Sequence, residues 1–245
     1  MKILVLGANG TLGKEICSKL RIMGYEFEGF DVNLSKNSET RYTPIPPIQE
    51  IIKMNNLEIF FNSVEKQNDI LIINSTGILI NEENFLDDFE YLIGEMYMVN
   101  LVFPVLLTEY CLKFGNIRLI HILSSSQWFI TKKFKNYSIS KKMLYEYWKN
   151  LKSFERKKIK IVIPSGFKSN IQKSNHFDYK FITLMTAEYV ANEIVQNLEK
   201  RKSVQYIGLR SKIFRLLYVL IPNKIGVMMS DIVVDNFLKK VGSDD

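Results

Sequence analysis

Tyr137 and Lys141 stand four residues apart in the stretch YSISK. On a helix that spacing puts both on one face. A phenol ordinarily titrates at about 10, and a neighbouring ammonium favours the phenolate and lowers that value. A tyrosine so tuned can give or take a proton at a carbonyl or alcohol oxygen near neutral pH. The chain carries a second pair at the same spacing, Tyr145 with Lys149. Position separates the two. Tyr137 follows the serines Ser124, Ser125 and Ser126, which end an apolar run, by 11 to 13 residues. Tyr145 lies eight residues further on, rotated by about 80° at about 100° per residue. Both cannot face the same edge, and Tyr145 reads as packing.

A second group of residues opens the chain. In MKILVLGANGTLGKEI an apolar run, Ile3 to Leu6, meets Gly7, Gly10 and Gly13. This is the pattern of a strand turning into a helix to bind a dinucleotide, although such glycine turns also occur as plain loops. Gly7 permits the tight turn, Gly10 lets backbone approach a diphosphate, and Gly13 lets helix and strand pack closely. The helix N-terminus offers N–H groups to phosphate. The whole turn, Gly7, Asn9, Gly10, Thr11, Leu12 and Gly13, is the expected cofactor cradle. Asp31 ends the next apolar run, 18 residues past Gly13. A carboxylate there accepts hydrogen bonds from a ribose 2′-OH and repels a 2′-phosphate, which favours NAD over NADP. Lys36 and Arg41 leave NADP open.

These residues need elements to position them. Apolar runs at Lys2–Leu6, Glu26–Asp31, Ile70–Asn74, Ile117–Leu123, Ile159–Ile163 and Val204–Ile207 read as strands. A short third strand is expected near Thr40–Ile45, interrupted by Pro44, Pro46 and Pro47. Helical patterns at Leu12–Met23, Pro47–Lys66, Asp87–Phe114, Ser138–Glu155 and Ala187–Lys200 separate the strands. Short strands joined by long crossovers make a Rossmann-type doubly wound parallel sheet with helices on both faces. One domain over residues 1–245 is expected. Residues 165–180 follow a strand and read as a lid loop over the carboxyl edge of the sheet, where ligands bind in open α/β folds. Residues 210–245 form a C-terminal extension, apolar with basic flanks. It reads as packing, as cover for the pocket or as an oligomer contact, with a membrane-surface segment as the further alternative.

Composition narrows the function classes. The 245 residues are 47% hydrophobic and 24% charged, with a formal net charge of +7, an ordinary balance for a folded soluble chain. The basic residues are dispersed among acids, the densest run being Glu155 to Lys160, and this argues against nucleic acid. Cys17 and Cys111 sit in apolar helical patterns as free thiols, as in a reducing cytoplasm. Lys2 begins a strand, so no signal peptide is expected, and no apolar run is long enough to span a membrane. No His, Cys or Asp cluster has metal spacing, so no metal is expected. His121 alternates within a strand and reads as a core histidine. His176 falls in the expected lid, and Trp128 and Phe129 read either as pocket wall or as packing.

The glycine turn, Asn74-Ser-Thr-Gly77, a mid-helix Asn100, the triple serine and YSISK occur in the order and at the spacing of the short-chain dehydrogenase/reductase family, which the chain resembles over nearly its full length. The resemblance implies a seven-stranded parallel sheet and a nicotinamide-dependent oxidoreductase acting on a carbonyl or alcohol. It implies Tyr137 as catalytic acid/base, with Lys141 lowering its pKa and holding the nicotinamide ribose. Ser125 or Ser124 would bind the substrate oxygen, strand alignment favouring Ser125 and the family's usual spacing favouring Ser124, with Ser125 preferred. Asn100 would anchor a relay water, although a buried amide could instead cap a helix bend. Asn74, Ser75, Thr76 and Gly77 would line the adenine side, and Pro164, Gly166 and Ser169 the nicotinamide amide. Dimers or tetramers through the two long helices are also implied.

The chain departs from the family pattern in three places. The glycine spacing is that of longer members acting on nucleotide sugars, whose C-terminal domain has no room here. Asn-Ser-Thr-Gly replaces Asn-Asn-Ala-Gly, and Ser165 separates Pro164 from Gly166. Two alternatives therefore stand beside the oxidoreductase: a nucleotide-sugar reductase or epimerase of polysaccharide biosynthesis, and a dinucleotide-sensing protein without turnover.

Overall fold

The computed structural model describes residues 1–32, 43–53, 56–60, 69–79, 94–128, 130, 134–169, 184–200 and 202–220. Seven strands form one sheet: β1 (Lys2–Leu6), β2 (Phe27–Asp31), β3 (Thr43–Pro44), β4 (Ile70–Asn74), β5 (Ile117–Ile122), β6 (Ile159–Pro164) and β7 (Val204–Ile207). Their order is β3-β2-β1-β4-β5-β6-β7, and every pairing is parallel. This is the doubly wound sheet expected from the alternating runs. β3 is a two-residue strand, because proline cannot donate to a ladder. The chain runs outward from β1 to β3 on one side and from β4 to β7 on the other. The change of direction falls between β1 and β4, where open α/β sheets leave a crevice at their carboxyl ends.

Both faces of the sheet are buried, and successive residues serve opposite layers. Leu4, Leu6, Ile70, Ile72, Leu119 and Ile161 point into one, against Phe60, Phe103, Leu107 and Trp148. Ile3, Val5, Leu71, Ile73, Ile120 and Val162 point into the other, against Ile16, Leu20, Val190 and Ile194. The second layer is closed by α1 (Thr11–Ile22) packed on a late helix, Ala187–Val195. That late helix is capped by Thr186, whose hydroxyl accepts the Tyr189 N–H at 3.1 Å.

Several expected helices have different bounds. The Pro47–Lys66 pattern yields α2 (Ile48–Lys53) and a separate 3₁₀ turn, Leu57–Phe60; residues 61–66 lie outside the described ones. In the Asp87–Phe114 pattern, residues 87–93 lie outside the described ones, 94–97 are helical, Met98–Val102 form a π turn, and α3 spans Phe103–Leu112. The Ser138–Glu155 pattern starts a turn earlier as α4 (Lys135–Asn150) and breaks where Leu151 turns extended (φ −63°, ψ 148°), before the short α5 (Ser153–Arg156). The helix expected over Ala187–Lys200 is α6 (Ala187–Val195). Past β7, α7 covers Leu209–Leu220. Of the expected lid loop, residues 170–180 lie outside the described residues, as do Lys36, Arg41, Phe129, His176 and 221–245.

Candidate active site

The glycine turn closes the carboxyl end of β1. Gly7 has φ +76°, a left-handed value that favours glycine. A Cβ on Gly7 would stand 3.0 Å from the Thr76 amide nitrogen, so the turn lies directly against the segment leaving β4. A Cβ on Gly13 would fall 2.0 Å from the Gly7 carbonyl oxygen. The close approach of helix to turn therefore requires glycine there. Gly10 is the N-cap of α1 and makes no side-chain cap hydrogen bond, and a helix N-terminus favours an anion. Asp31, at the end of β2 and buried, accepts the Asn9 N–H through Oδ2 at 2.8 Å. The carboxylate expected at the edge of the cradle is tied into the cradle itself.

Asn74 to Gly77 bridge this turn to the second group of residues. The Ser75 hydroxyl donates to the Leu6 carbonyl at 2.7 Å. Asn74 Oδ1 accepts from the Thr76 N–H at 3.1 Å and its hydroxyl at 2.6 Å. Behind Asn74 stands His121, fully buried. The Thr108 hydroxyl donates its one proton to the Pro104 carbonyl (2.8 Å) and lies 2.8 Å from His121 Nε2. Nε2 must then carry the ring proton, and Nδ1 accepts from Asn74 Nδ2 at 3.2 Å. Burial, with the Lys141 charge nearby, holds this imidazole down to a pKa of about 3. The core histidine expected from strand alternation thus fixes the orientation of Asn74.

At the far end of the strip, a Cβ on Gly77 would meet Lys141 Nζ at 3.2 Å and Asn100 Oδ1 at 3.4 Å. Asn100 is fully buried within the π turn. Its amide binds both backbone groups of Ile78, accepting the N–H at 3.0 Å and donating to the carbonyl at 2.7 Å. The widened turn lets a helix side chain reach the loop leaving β4.

Lys141 is 4% exposed and has no carboxylate partner among the described residues. Burial brings its pKa down to about 8. Its Nζ lies 5.8 Å from the centre of the Tyr137 ring, one helical turn away. The other pair is different in kind. Tyr145 is buried against Trp128 and Trp148. Burial pushes its pKa up to about 12. Lys149 is exposed and bound to Glu146 at 2.8 Å. Only the Tyr137 pair has a buried cation.

The serine turn packs against α4. Ser124 caps a short 3₁₀ turn, Ser125–Gln127, and its Oγ accepts from the Ser126 N–H at 3.2 Å and the Ser126 hydroxyl at 3.0 Å. Ser124 is half-buried and Ser125 buried. Trp128 is core: its ring packs on Tyr145 and Tyr218, and the Arg215 guanidinium lies over it at 5.1 Å.

Pro164 ends β6, and Gly166 follows Ser165 with its carbonyl accepting the Met185 N–H at 3.2 Å. Ser169 is the last described residue of that loop. Ser165, read in the sequence only as an interruption, is buried and structural. Its Oγ accepts the Ser211 N–H at 2.8 Å and donates to the Ile207 carbonyl at 3.2 Å. It therefore ties the start of α7 to the end of β7. Among the described residues no three His, Cys, Asp or Glu side chains gather closely enough to hold a metal ion.

The chain shares its fold, a seven-stranded parallel sheet, with solved short-chain dehydrogenases. Three solved structures illustrate the likeness. A short-chain dehydrogenase from Burkholderia cenocepacia in complex with NADP matches with a TM-score of 0.67 at 16% identity, over 89% of this chain and 92% of its own. One from Sphingobium yanoikuyae in complex with NADPH gives 0.70 at 13% identity, over 100% and 96%. A 4-hydroxyisoleucine dehydrogenase complexed with NADH gives 0.63 at 16% identity, over 84% and 96%. At such identities the likeness is one of fold. No protein-family model matches the sequence, and no curated protein matches it significantly.

Proposed function

We propose that this protein is an NAD(P)-dependent oxidoreductase of the short-chain dehydrogenase type, with Tyr137 as its acid/base. The observation that carries this reading is Lys141: a buried ammonium without a carboxylate partner among the described residues, one turn from Tyr137 and against Gly77. Such a charge is costly unless something offsets it, and an anionic ligand with ribose hydroxyls beside a phenolate does so. The cradle fits a dinucleotide on its own terms, since Gly10 at the helix start carries no side chain to block a diphosphate.

When bound, the cofactor supplies hydride chemistry; the chain's residues orient it and move the proton. Gly7 to Gly13 hold the diphosphate, and Asp31 and Asn74 to Gly77 hold the adenosine half. Pro164, Gly166 and Ser169 border the nicotinamide. Lys141 stabilises the Tyr137 phenolate, so that the tyrosine exchanges a proton with the substrate oxygen. Of the serines, Ser124 is the better donor to that oxygen. Ser126 occupies its lone pairs, which leaves the Ser124 hydroxyl proton to give. Asn100, held by Ile78, keeps the loop against Lys141. The Asp31 carboxylate favours NAD, since a 2′-phosphate would meet a negative charge.

The test is oxidation of NADH by purified protein against a panel of ketones and keto-sugars. Turnover is expected, with Tyr137→Phe lowering kcat by about 10² to 10⁴ while NADH affinity stays within a few fold. A variant that keeps turnover defeats the assignment. A protein that binds NADH and turns over none of the panel favours the sensing alternative. Turnover confined to nucleotide sugars favours the reading suggested by the glycine spacing.

A further inference from the structure

Helix α7 has two opposite faces of different kind. At about 100° per residue, Ser211, Phe214, Arg215 and Tyr218 share one face. This face docks on the body of the protein. Ser211 is buried and donates its hydroxyl to the Ile163 carbonyl at 2.7 Å. Tyr218 packs on Trp128, with Lys142 over its ring at 4.9 Å. The opposite face is a stripe of Leu209, Ile213, Leu216 and Leu220, confined to an arc of about 60°. These four are 72%, 41%, 58% and 68% exposed. The stripe runs for about 16 Å at about 1.5 Å per residue. A surface helix normally turns polar groups outward; this one turns branched aliphatics outward.

The charges on α7 are arranged with equal regularity. The helix holds Arg210, Lys212 and Arg215 and no acid. Lys212 and Arg210 fall roughly 70° and 90° to either side of the stripe's centre. Both are exposed. An apolar stripe edged by cations on both sides suits a lipid surface, where side chains such as leucine enter the headgroup boundary and long cationic ones reach up to phosphates. No described helix is long and apolar enough to cross a membrane, and contact through one helix face requires no crossing.

We propose that the outer face of α7 docks this protein on an anionic membrane surface, with Leu209, Ile213, Leu216 and Leu220 in the interface and Arg210 and Lys212 on lipid phosphates. The choice of a bilayer over a protein partner rests on charge complementarity: the exposed Arg210 and Lys212 edge the stripe on both sides, the helix carries no acid, and the chain has a net charge of +7. Attraction of this kind is short-ranged and screened by salt. The docking helix also supports the serine turn through Trp128, Tyr218 and Arg215.

The test is co-sedimentation of the full chain with vesicles of phosphatidylcholine alone and with phosphatidylglycerol added at three parts in ten. The anionic vesicles are expected to bind roughly tenfold more tightly at low salt, and the gain is expected to vanish at high salt. Ile213→Glu with Leu216→Glu should abolish binding, and Lys212→Glu should weaken it about tenfold. The stripe is exposed, so the double variant should keep the wild-type Tm and its mass by light scattering. Failure of the wild type to bind anionic vesicles overturns the proposal, as does equal binding by the double variant. A fall in the double variant's oligomeric mass would assign the stripe to a second copy of the chain. A fall in its Tm would assign the stripe to packing within the chain. Either result also overturns the proposal.

Discussion

At the scale of single residues, the polar groups around the switch point form a relay of fixed orientations. Pro104 fixes Thr108, Thr108 fixes the His121 ring, His121 fixes Asn74, and Asn74 gathers Thr76. The relay needs a neutral imidazole, which gives it a pH signature. The His121 pKa falls from 6.5 to about 3 on folding. Below 6.5 the unfolded chain therefore binds the proton that the folded chain refuses. The stability due to His121 is full above that value and is lost as pH falls toward 3. Between pH 7 and pH 5 the loss is about 2 kcal/mol. Urea unfolding of the wild type and of His121→Gln at both pH values checks this. The variant should be less stable at pH 7, with a pH dependence flatter by about that amount. Equal slopes would mean that the histidine titrates normally in the fold.

The side chains of the candidate site were legible in the sequence to the extent that local spacing determines them. Tyr137 and Lys141 share a face because helices have one pitch, and the serine run marked a strand end because the apolar alternation stopped there. Choosing between two Tyr–Lys pairs rested on their distance from that end; in the structure Lys141 is buried and Lys149 exposed. Contacts between segments far apart in the chain were not legible. Nothing local to Ser165 says that it accepts the N–H of Ser211, 46 residues away. In the sequence Ser165 only separates Pro164 from Gly166, whereas in the fold it anchors the start of α7.

At the scale of elements, strands were easier to read than helices. A buried parallel strand is apolar throughout, whereas the periodicity of a helix continues across breaks made by the backbone. The break at Leu151 and the widened turn at Met98–Val102 are of that kind. The glycine turn joins two elements, and its three glycines have separable duties. Gly13 is held by backbone: a Cβ there would meet the Gly7 oxygen at 2.0 Å and Ala8 Cα at 2.9 Å, neither of which can move without opening the turn. Gly13→Ala should cost about 3 kcal/mol or more. Gly10 has φ −66°, and a Cβ there would meet only the Gly7 oxygen, at 3.3 Å. Gly10→Ala should fold within about 1 kcal/mol of wild type and still lose NADH affinity, because its methyl group occupies the approach of the diphosphate. Denaturation midpoints and NADH titration of the two variants separate a structural glycine from a binding one. Equal stability losses in both would remove that distinction.

At the scale of the whole molecule, the sheet divides two apolar layers, and each layer contains one free thiol. Cys111 is buried with Phe103 and Leu107 on one side, and Cys17 with Ile16 and Leu20 on the other. Burial pushes the Cys17 pKa up to about 12 and that of Cys111 higher still, so neither presents thiolate at pH 8. The native protein should therefore consume no Ellman's reagent at pH 8, and the unfolded chain should consume two equivalents, one for each cysteine. The thiols also report whether the layers melt together. Every central strand feeds both: Leu4 and Leu6 of β1 face one, Ile3 and Val5 the other, and β4, β5 and β6 alternate in the same way. Removing either layer would expose one whole face of those strands to water, at roughly 25 cal/mol for each Å² of apolar surface. The two layers should therefore unfold as one unit. In Cys17→Ser and Cys111→Ser, each reporting the remaining thiol, reactivity should appear at the urea midpoint that far-ultraviolet circular dichroism gives for the same variant. Reactivity of Cys17 well below that midpoint would show that α1 and α6 can leave the sheet on their own. The glycine cradle, built on α1, would then be a locally unfolding site rather than part of a single cooperative fold.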